Sequence, residues 1–487
     1  MICCRPGRRE LLRWSAIVAA ASLVPLADPD RSYAAARAAG PDAVAPVDLE
    51  LVTLTETTAV LTWFTGVPGT DDGLGRMLPA PADGEVVYGT HPSRLNRRVT
   101  GGSGTPYHHV ELTGLEPGRR YYYQARSRGR AAAATFIAGG DAAGALSGPC
   151  TFAFTTPQPP PGRFLFSVAL CNDLHLGETV AGLVGGLPGI KGISQVPGRP
   201  PYPEIMATAL VDDAHRRGAT YLLAAGDVSS EAAPGDVGRA KALLDRFGRY
   251  REDYFVARGN HDRAHAGDPY ASCGTGQWQG NDCFRDGFFD GGGPTYFSRD
   301  LRGLHVIGLD TYDKPGAGGD AGGLSGEQLA WFQADLKAHR DQPTIVFGHH
   351  PLFVEASPLA ASGGQSIEAG QALTILGTYA RTPGVFLHHA GHTHRNRRSV
   401  FAPAPGVTQQ EVSAVKEYPG GFSLLRIHTG GYALNYYKTR SDLAREWSER
   451  TRQELGGLWP QLSFGARIAD RNSVVARDLS GLTAATA

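Results

Sequence analysis

Apolar and polar residues alternate along residues 45–156, and Gly, Pro and Asp separate the alternating runs. A period of two is typical of strands with one buried face. Several short strands joined by tight turns favour an antiparallel β-sandwich. The runs that carry this pattern contain Ala59, Leu61 and Trp63; residues 86–88; Val110 and Leu112; Tyr121 and Tyr123; and Cys150, Phe152 and Phe154.

A proline-rich stretch at 157–162 separates this region from one with a different pattern. Polyproline segments are stiff, so the stretch indicates a linker. From 163 to 440, short apolar runs alternate with longer amphipathic segments, which predicts an α/β domain. Residues 441–487 are expected to form a polar helix and a tail. The predicted strands are 164–170, 221–225, 254–256, 304–309, 344–347 and 385–387, and the predicted helices are 203–217 and 325–339.

The beginning of the chain has the pattern of an export signal. Arg8 and Arg9 precede an apolar run at 14–27 that is too short to span a membrane. Paired arginines before such a run are typical of a twin-arginine signal. We therefore expect residues 1–39 to direct the protein out of the cytoplasm, into the cell envelope or the medium. An ordinary secretory signal, or a lipid anchor on an upstream cysteine, is the alternative.

Composition limits the class of protein further. The chain has 487 residues, 41% of them hydrophobic, and its 47 basic residues balance its 47 acidic ones. This hydrophobic share excludes a disordered chain, and the balanced charge gives no indication of a nucleic acid or an anionic membrane as partner. Few cysteines in an exported chain favour one or two structural disulfides. Cys273 and Cys283 lie in one Gly-rich loop and are the best pair.

Polar clusters follow five of the apolar runs in the second region. A single cluster would carry little weight, because Asp and Asn often cap helices and His often completes a hydrogen bond in a core. Five clusters at the carboxyl ends of strands are expected to converge, and their side chains are ligands that divalent metals prefer. The clusters are Asp173-Leu174-His175, Gly226-Asp227, Gly259-Asn260-His261-Asp262, Gly348-His349-His350-Pro351 and Gly391-His392-Thr393-His394.

As an ordered set, the five clusters resemble the motifs of calcineurin-like metallophosphoesterases, over about residues 163–440. The resemblance implies a four-layer α/β/β/α sandwich and two divalent metal ions bridged by Asp227. A phosphate ester resists attack because it is anionic, and two ions about 3.5–4 Å apart neutralise its charge and generate a nucleophile. By motif position, one ion would be held by Asp173, His175 and His394, and the other by Asn260, His349 and His392.

The resemblance also assigns catalytic roles. His261 would protonate the leaving oxygen, and Asp262 would orient His261. Hydroxide bridging the two ions would be the nucleophile, so no covalent intermediate with the enzyme is expected. In the cluster that contains two adjacent histidines, His349 is the expected ligand and His350 the alternative.

The first region resembles a fibronectin type III domain. The segment 115–123 resembles the tyrosine corner of such domains, and Trp63 resembles their core tryptophan. We expect a structural module, or one that docks to the cell envelope or to the catalytic domain. Its paired histidines, His108 and His109, are expected to face solvent.

A sandwich that precedes a metallophosphoesterase domain resembles the architecture of purple acid phosphatases. This sequence departs from that group at two positions. His175 stands where the group has a residue that binds no metal, and Ser230 stands where its iron-binding tyrosine would follow Asp227. Without a phenolate ligand, we expect a redox-inert pair such as Mn, Zn or Fe(II) and no purple absorption.

Together these features predict an exported hydrolase with a dinuclear metal centre that acts on a small phosphorylated substrate, as a phosphatase. Cleavage of cyclic nucleotides or other diesters is the alternative, because the ion pair suits both. Long loops at 177–202 and 263–294 follow ligand clusters and would select the substrate, or else only cover a sheet edge. A second alternative is a non-catalytic module that binds to the cell envelope.

Overall fold

In the computed structural model, the chain forms two compact units. The first unit comprises the described residues up to Pro159, Val180–Ser194 and Arg440–Asn472, and the second comprises Pro160–Thr179, Gln195–Thr439 and Ser473–Ala487. The predicted export signal lies outside the described residues. Within the described residues, no helix combines the length and apolar character needed to cross a membrane. The structure describes residues 44–137, 140–148, 150–182, 192–264, 282–289, 293–314, 320–354 and 364–485.

The first unit contains the predicted antiparallel β-sandwich, since all its paired strands run antiparallel. One sheet has the order β1-β2-β5 and the other β4-β3-β6-β9-β8, with β7 paired to β6. These strands are β1 (Ala45–Leu54), β2 (Ala59–Gly66), β3 (Glu85–Gly89), β4 (Arg97–Thr100), β5 (Tyr107–Leu112), β6 (Arg120–Ser127), β7 (Arg130–Ala131), β8 (Ala145–Gly148) and β9 (Thr151–Thr155).

Aromatic side chains from both sheets form the core of the sandwich. Trp63 is buried, and its indole N–H donates to Ser127 Oγ at 3.0 Å. The hydroxyl of Tyr121 accepts from the backbone N–H of Glu116 at 3.0 Å. This bond pins the turn before β6 to the core, as expected for a tyrosine corner.

The expectation that His108 faces solvent is wrong. Its side chain is 2% exposed and stacks on Trp63 with ring centroids 4.7 Å apart. Residue 108 lies on β5 with its side chain pointing inward, and burial lowers the pKa of its imidazole to about 4. A neutral imidazole stacks on indole as another aromatic ring would, which explains why a polar residue fits this core.

The second unit is built on two mixed six-stranded sheets. Their orders are β14-β13-β10-β21-β22-β23 and β15-β16-β17-β18-β20-β19. Parallel neighbours are β10, β13 and β14 in the first sheet and β16, β17, β18 and β20 in the second. Two short strands that lie between β10 and β13 in sequence but belong to the first unit, β11 (Val180–Ala181) and β12 (Ile193–Ser194), pair with each other in antiparallel orientation. The sheet strands are β10 (Phe164–Cys171), β13 (Tyr221–Ala225), β14 (Tyr254–Ala257), β15 (Phe297–Leu301), β16 (Leu304–Gly308), β17 (Thr344–Phe347), β18 (Val385–Ala390), β19 (Arg397–Val400), β20 (Thr408–Glu411), β21 (Gly421–His428), β22 (Gly431–Lys438) and β23 (Asn472–Ala476).

The two sheets pack against each other and helices cover their outer faces, as the sequence predicted. Phe386 of β18 meets Tyr432 of β22 with ring centroids 5.3 Å apart. Helices α4 and α5 bury Phe332 and Ile375 against the second sheet, and α1 packs on the first sheet at β21. The helices of this unit are α1 (Tyr202–Arg216), α2 (Pro234–Leu244), α3 (Cys283–Phe288), α4 (Gly326–Ala338) and α5 (Ala369–Ala380).

Most predicted elements differ from the observed ones by only a residue or two at their ends. One difference is larger. The strand predicted at 385–387 extends to Ala390 as β18, so His388 and His389 lie inside a buried strand. The hydroxyl of Tyr379 lies 2.7 Å from Nδ1 of His388, which gives this polar side chain a partner within the core.

After residue 440 the chain returns to the first unit before it adds β23 to the first sheet of the second unit. Arg471 donates to the backbone oxygen of Leu51, and Asn472 donates to that of Val52, both at 3.1 Å. The segment Arg440–Asn472 is therefore part of the first unit rather than a free tail. Its helices are α6 (Asp442–Thr451), α7 (Glu454–Gly457), α8 (Trp459–Ser463) and α9 (Ile468–Arg471).

Two cysteines of the described part of the chain are disulfide-bonded, Cys150 and Cys283. Cys171 is a buried free thiol, so it does not pair with Cys150. Cys273, the predicted partner of Cys283, lies outside the described residues, and that pairing stays a prediction.

Candidate metal centre

The five polar clusters follow five strand ends of the second unit and meet in one place. Strands β10, β13 and β14 run parallel to one another in the first sheet, and β17 and β18 do so in the second, so their carboxyl ends lie at the same edge of each sheet. The predicted ligands come directly after these ends, and all of them are buried except His392, which is half-buried. They are Asp173, His175, Asp227, Asn260, His349, His392 and His394.

The backbone of these clusters is tightly turned. Positive φ is uncommon for residues other than glycine, and such strained positions concentrate at functional sites because surrounding structure must hold them. Among the residues that the structure describes, several predicted ligands have this conformation. Their φ angles are 54° at Asp173, 49° at His175, 50° at Asp227, 66° at His392 and 50° at His394.

Glycines let the clusters approach one another closely. A Cβ on Gly259 would lie 2.1 Å from Oδ1 of Asp227, and one on Gly391 would lie 2.7 Å from Oδ2 of Asp173. Real Cβ atoms do not approach other atoms this closely, so any side chain at these positions would displace a carboxylate. The glycines that precede the ligands are thus part of the geometry of the site.

Short distances connect the predicted ligands of the first ion. Nε2 of His394 lies 3.0 Å from Oδ1 of Asp173. Nε2 of His175 lies 3.6 Å from Asp173 and 3.5 Å from Asp227. Asp173, His175 and His394 thus offer one atom each within 4.8 Å of one another, which is a spacing that one metal ion can bridge.

The predicted ligands of the second ion surround the other side of Asp227. Nε2 of His349 lies 3.0 Å from Oδ2 of Asp227 and 3.2 Å from Nδ1 of His392. The loop that carries Asn260 is fixed next to them, because the backbone N–H of His261 donates to Oδ1 of Asp227 at 2.9 Å. Asp227 therefore lies between the two groups of ligands.

Several buried polar atoms at this point have no hydrogen-bond partner within the described part of the chain. They include Oδ1 of Asp173, Nε2 of His175 and Oδ1 of Asn260. Leaving such an atom unpaired costs roughly 1–3 kcal/mol. Carboxylate, imidazole and amide atoms of this kind are also the ligands of Mn, Zn and Fe(II). The residues present fit divalent metal ions.

The ionisation of the cluster suits cations as well. Burial raises the pKa of Asp173, but the charges of His394 and His349 outweigh it and hold that pKa well below its usual range. Burial likewise raises the pKa of Asp227, and His349 and His261 reverse the effect. Burial and the neighbouring His349 lower the pKa of His392 to about 3, so its imidazole is in the neutral form that binds metals.

His349 is the better placed of the two adjacent histidines. Its Nδ1 lies 2.9 Å from the backbone oxygen of Ala225, which leaves Nε2 directed toward Asp227. Both ring nitrogens of His350 are engaged elsewhere. Nδ1 lies 2.7 Å from Oγ1 of Thr311, and Nε2 lies 2.8 Å from the backbone oxygen of Asp320.

The role expected for Asp262 does not fit the structure. Its carboxylate accepts from the backbone N–H and the hydroxyl of Ser229, at 3.0 and 2.6 Å, and from the N–H of Gly259 at 3.2 Å. It stabilises the turns around Asp227 instead. Nδ1 of His261 lies 2.6 Å from the backbone oxygen of Ser230, so this carbonyl orients the imidazole.

The structure adds residues that sequence reasoning missed. Glu178 and Glu417 contact the ligands His175 and His394, and Lys416 contacts both glutamates. Glu178 could have been noticed, since it follows the Asp-x-His motif by three positions. Glu417 lies outside every motif, and nothing in the sequence pattern distinguishes it.

The long loop at 263–294 contains aromatic residues that could stack on a substrate, namely Tyr270, Trp278 and Phe284. Phe284 is fully buried and packs against Phe288 with ring centroids 5.2 Å apart, so it belongs to a core. Tyr270 and Trp278 lie outside the described residues.

Two family models match this sequence. Residues 166–396 match the family model of calcineurin-like phosphoesterases, and residues 44–137 match that of the purple acid phosphatase N-terminal domain. No curated protein matches the sequence significantly.

Solved structures with similar folds include two phosphatases. Purple acid phosphatase PPD1 from yellow lupin (Lupinus luteus) seeds is 16% identical over 81% of this chain and 72% of that chain, with a TM-score of 0.39. A dimetal phosphatase from Danio rerio is 15% identical over 57% of this chain and 98% of that chain, with a TM-score of 0.41. At these sequence identities and TM-scores, the similarity to the two structures does not support an inference about function.

The family matches and the converging ligands point to the same conclusion. The model of the purple acid phosphatase N-terminal domain covers most of the sandwich, and the phosphoesterase model covers the strands whose ends carry the predicted ligands. The chain therefore contains a domain of the calcineurin-like phosphoesterases, a family of metal-dependent enzymes, preceded by a purple acid phosphatase N-terminal domain.

Proposed function

We propose that this protein is a dinuclear-metal phosphatase that hydrolyses monoesters of small molecules. The observation that carries the proposal is the convergence of seven candidate ligand side chains from five strand ends, six of them buried. Three of these side chains have a buried polar atom with no hydrogen-bond partner among the residues that the structure describes. A catalytic domain that had lost its activity would be expected to have lost at least one of these ligands.

In this proposal the candidate ligands divide around Asp227, which would help to hold both ions. Asp173, His175 and His394 hold one ion, and Asn260, His349 and His392 hold the other. When bound, the two ions neutralise the charge of the phosphate group and activate water for attack.

His261 is the proposed proton donor for the leaving oxygen. Its Nδ1–H donates to the backbone oxygen of Ser230, so Nε2 is the nitrogen that faces outward. Its side chain is 34% exposed, in contrast to the buried ligands, and its ring lies 4.7 Å from that of His175. A substrate bound at the metal ligands would therefore lie within reach of Nε2.

The proposal includes a redox-inert metal pair. Ser230 provides a backbone oxygen to His261 at the position where purple acid phosphatases would have the tyrosine ligand. Without a phenolate donor, we expect Mn, Zn or Fe(II) and no visible charge-transfer band. An absorption band in the purple region of the purified protein would contradict this part of the proposal.

We also propose that the enzyme works outside the cytoplasm. The paired arginines at the start of the chain support this, and so do the disulfide-bonded Cys150 and Cys283, because disulfides persist mainly in oxidising compartments. Replacing Arg8 and Arg9 with lysine should leave the protein in the cytoplasm. Unchanged export of that variant would contradict the twin-arginine route.

The substrate class is tested by comparing p-nitrophenyl phosphate with bis(p-nitrophenyl) phosphate, using the same Mn-loaded protein. We expect faster hydrolysis of the monoester and no turnover by the His349→Ala or Asn260→Ala variants. Faster hydrolysis of the diester would instead assign the protein to the phosphodiesterases. No hydrolysis of either ester by protein with bound metal would contradict the proposal.

A further inference from the structure

Two of the proposed ligand histidines lie next to carboxylates. Nδ1 of His394 lies 2.7 Å from Oε1 of Glu417, and Nδ1 of His175 lies 3.0 Å from Oε2 of Glu178. In both rings, therefore, Nε2 is the nitrogen that faces Asp173, at 3.0 Å and 3.6 Å. The carboxylates determine which nitrogen of each ring is available to a metal ion.

A single lysine connects the two carboxylates. Nζ of Lys416 donates to both oxygens of Glu178, at 2.6 and 2.8 Å, and lies 3.2 Å from Oε2 of Glu417. Lys416 is 3% exposed and Glu417 is fully buried, so neither charge would be stable there without the other. The hydroxyl of Tyr202 donates to Glu178 at 2.7 Å. We call Glu178, Lys416 and Glu417 the carboxylate clamp.

Among the residues that the structure describes, no carboxylate supports the outer nitrogens of the histidines proposed for the other ion. Nδ1 of His349 faces the backbone oxygen of Ala225 at 2.9 Å, and Nε2 of His392 faces that of Gly364 at 3.0 Å. A carboxylate makes its imidazole partner more basic than a neutral carbonyl does. Losing an outer partner of this kind typically lowers metal affinity by about 10–100-fold.

We propose that the carboxylate clamp positions His175 and His394 together and makes the ion that they share with Asp173 the more tightly bound of the two. The inference rests on the dinuclear centre of the proposed function. The clamp acts through the two imidazoles and contacts neither ion nor substrate, so its members are positioning residues.

The test is metal binding by Glu178→Gln and Glu417→Gln variants of the full chain. The parent protein should bind two Mn ions in two steps of unequal affinity, measured by calorimetry against a competing chelator. In each variant the tighter step should weaken by about 10–100-fold while the weaker step is unchanged. Electron paramagnetic resonance gives an independent readout, since a coupled Mn pair and a single Mn ion have different spectra.

Asp335→Asn is the matched control. It removes a carboxylate that lies 2.7 Å from Nε2 of His305, in the same unit but away from every proposed ligand. This variant should bind both ions as the parent does. Circular dichroism checks folding; if Glu417→Gln does not fold, Glu178→Gln decides alone, because its carboxylate is 14% exposed and tolerates an amide more readily.

The outcomes separate the two proposals. Parent-like affinity at both steps in the Gln variants would overturn the role of the clamp, and so would an equal loss at both steps. A parent chain that binds fewer than two ions would instead contradict the dinuclear centre itself.

Discussion

At the scale of single residues, the glycines of the candidate site allow its carboxylates to keep their positions. Replacing Gly259 with alanine would put a Cβ 2.1 Å from Oδ1 of Asp227, the carboxylate between the two proposed ions. The carboxylate or the loop must then move, so we expect loss of at least one bound metal ion and of nearly all activity. Metal content per chain and hydrolysis of a monoester are the measurements.

Gly238→Ala is the control for this variant. Gly238 lies within α2, and a Cβ there would meet nothing within 4 Å. Alanine at an unobstructed helix position stabilises a protein by about 0.4–1 kcal/mol. Gly238→Ala should therefore keep full activity, and a Gly259→Ala variant that also kept both metals would refute the close packing around Asp227.

The proposed proton donor is tested by the choice of ester. His261→Asn should lower the hydrolysis of an alkyl phosphate by about 10²–10⁴-fold, because an alkoxide leaves poorly without a proton. Hydrolysis of p-nitrophenyl phosphate should fall much less, since p-nitrophenolate leaves unprotonated. Metal content should be unchanged. An equal loss with both esters would show that His261 does not act as the acid.

Buried His108 predicts a pH dependence of stability. Burial, reinforced by the charge of Arg445 and opposed by Asp83, lowers its pKa to about 4, whereas an unfolded histidine has a pKa of about 6.5. Between these values the unfolded chain binds a proton that the folded chain does not. This contribution to stability is therefore lost as pH falls below about 6.5, by about 2 kcal/mol between pH 7 and pH 5.

The measurement is the free energy of unfolding in urea at pH 7 and pH 5, for the parent and for His108→Phe. Phenylalanine can keep the stack on Trp63 but does not titrate. The variant should show a smaller loss of stability at pH 5. The same loss in both proteins would mean that His108 is not the group responsible.

At this scale the sequence pattern was enough to find the candidate ligands but not the residues that contact them. Asp173 and His349 could be found because they come shortly after buried strands. Glu417 could not, because its partner His394 is 23 positions away and only the folded turn after β20 brings them together. The role of Asp262 was misjudged because adjacency in sequence to His261 does not give contact between the side chains.

At the scale of elements, apolar runs predicted strand positions well and strand ends poorly where polar residues are buried. The run at 344–347 is flanked by proline and glycine, and β17 coincides with it. The run at 385–387 is followed by two histidines, which ended the prediction although β18 continues to Ala390. Burial of these histidines depends on partners such as Tyr379, which belong to other elements.

At the scale of the whole molecule, the segment after residue 440 was the least predictable part. It packs with the first unit although it follows the second in sequence. Nη1 of Arg452 lies 2.5 Å from Oε1 of Glu50, and both side chains are buried. Contacts between residues 402 positions apart leave no periodic signal in a single sequence.

This buried pair predicts a role for the segment in folding. Arg452→Ala removes the cation that pairs with the buried carboxylate of Glu50, and breaking a buried ion pair in this way typically costs about 3–5 kcal/mol. We expect the unfolding midpoint of the first unit to fall, with metal content unchanged. Arg467→Ala, whose parent side chain is 62% exposed, should have almost no effect on that midpoint. If the two variants were equally stable, the pair would not hold the segment in place.

The central claim is that this chain hydrolyses phosphate monoesters with two metal ions held around Asp227. The most direct test is the initial rate of monoester hydrolysis by metal-free protein to which Mn is added in known equivalents. The account predicts no activity without metal, a rate that rises until two ions are bound per chain, and no such rise for Asp227→Asn. Activity that is independent of added metal, or that is complete at one ion per chain, would contradict it.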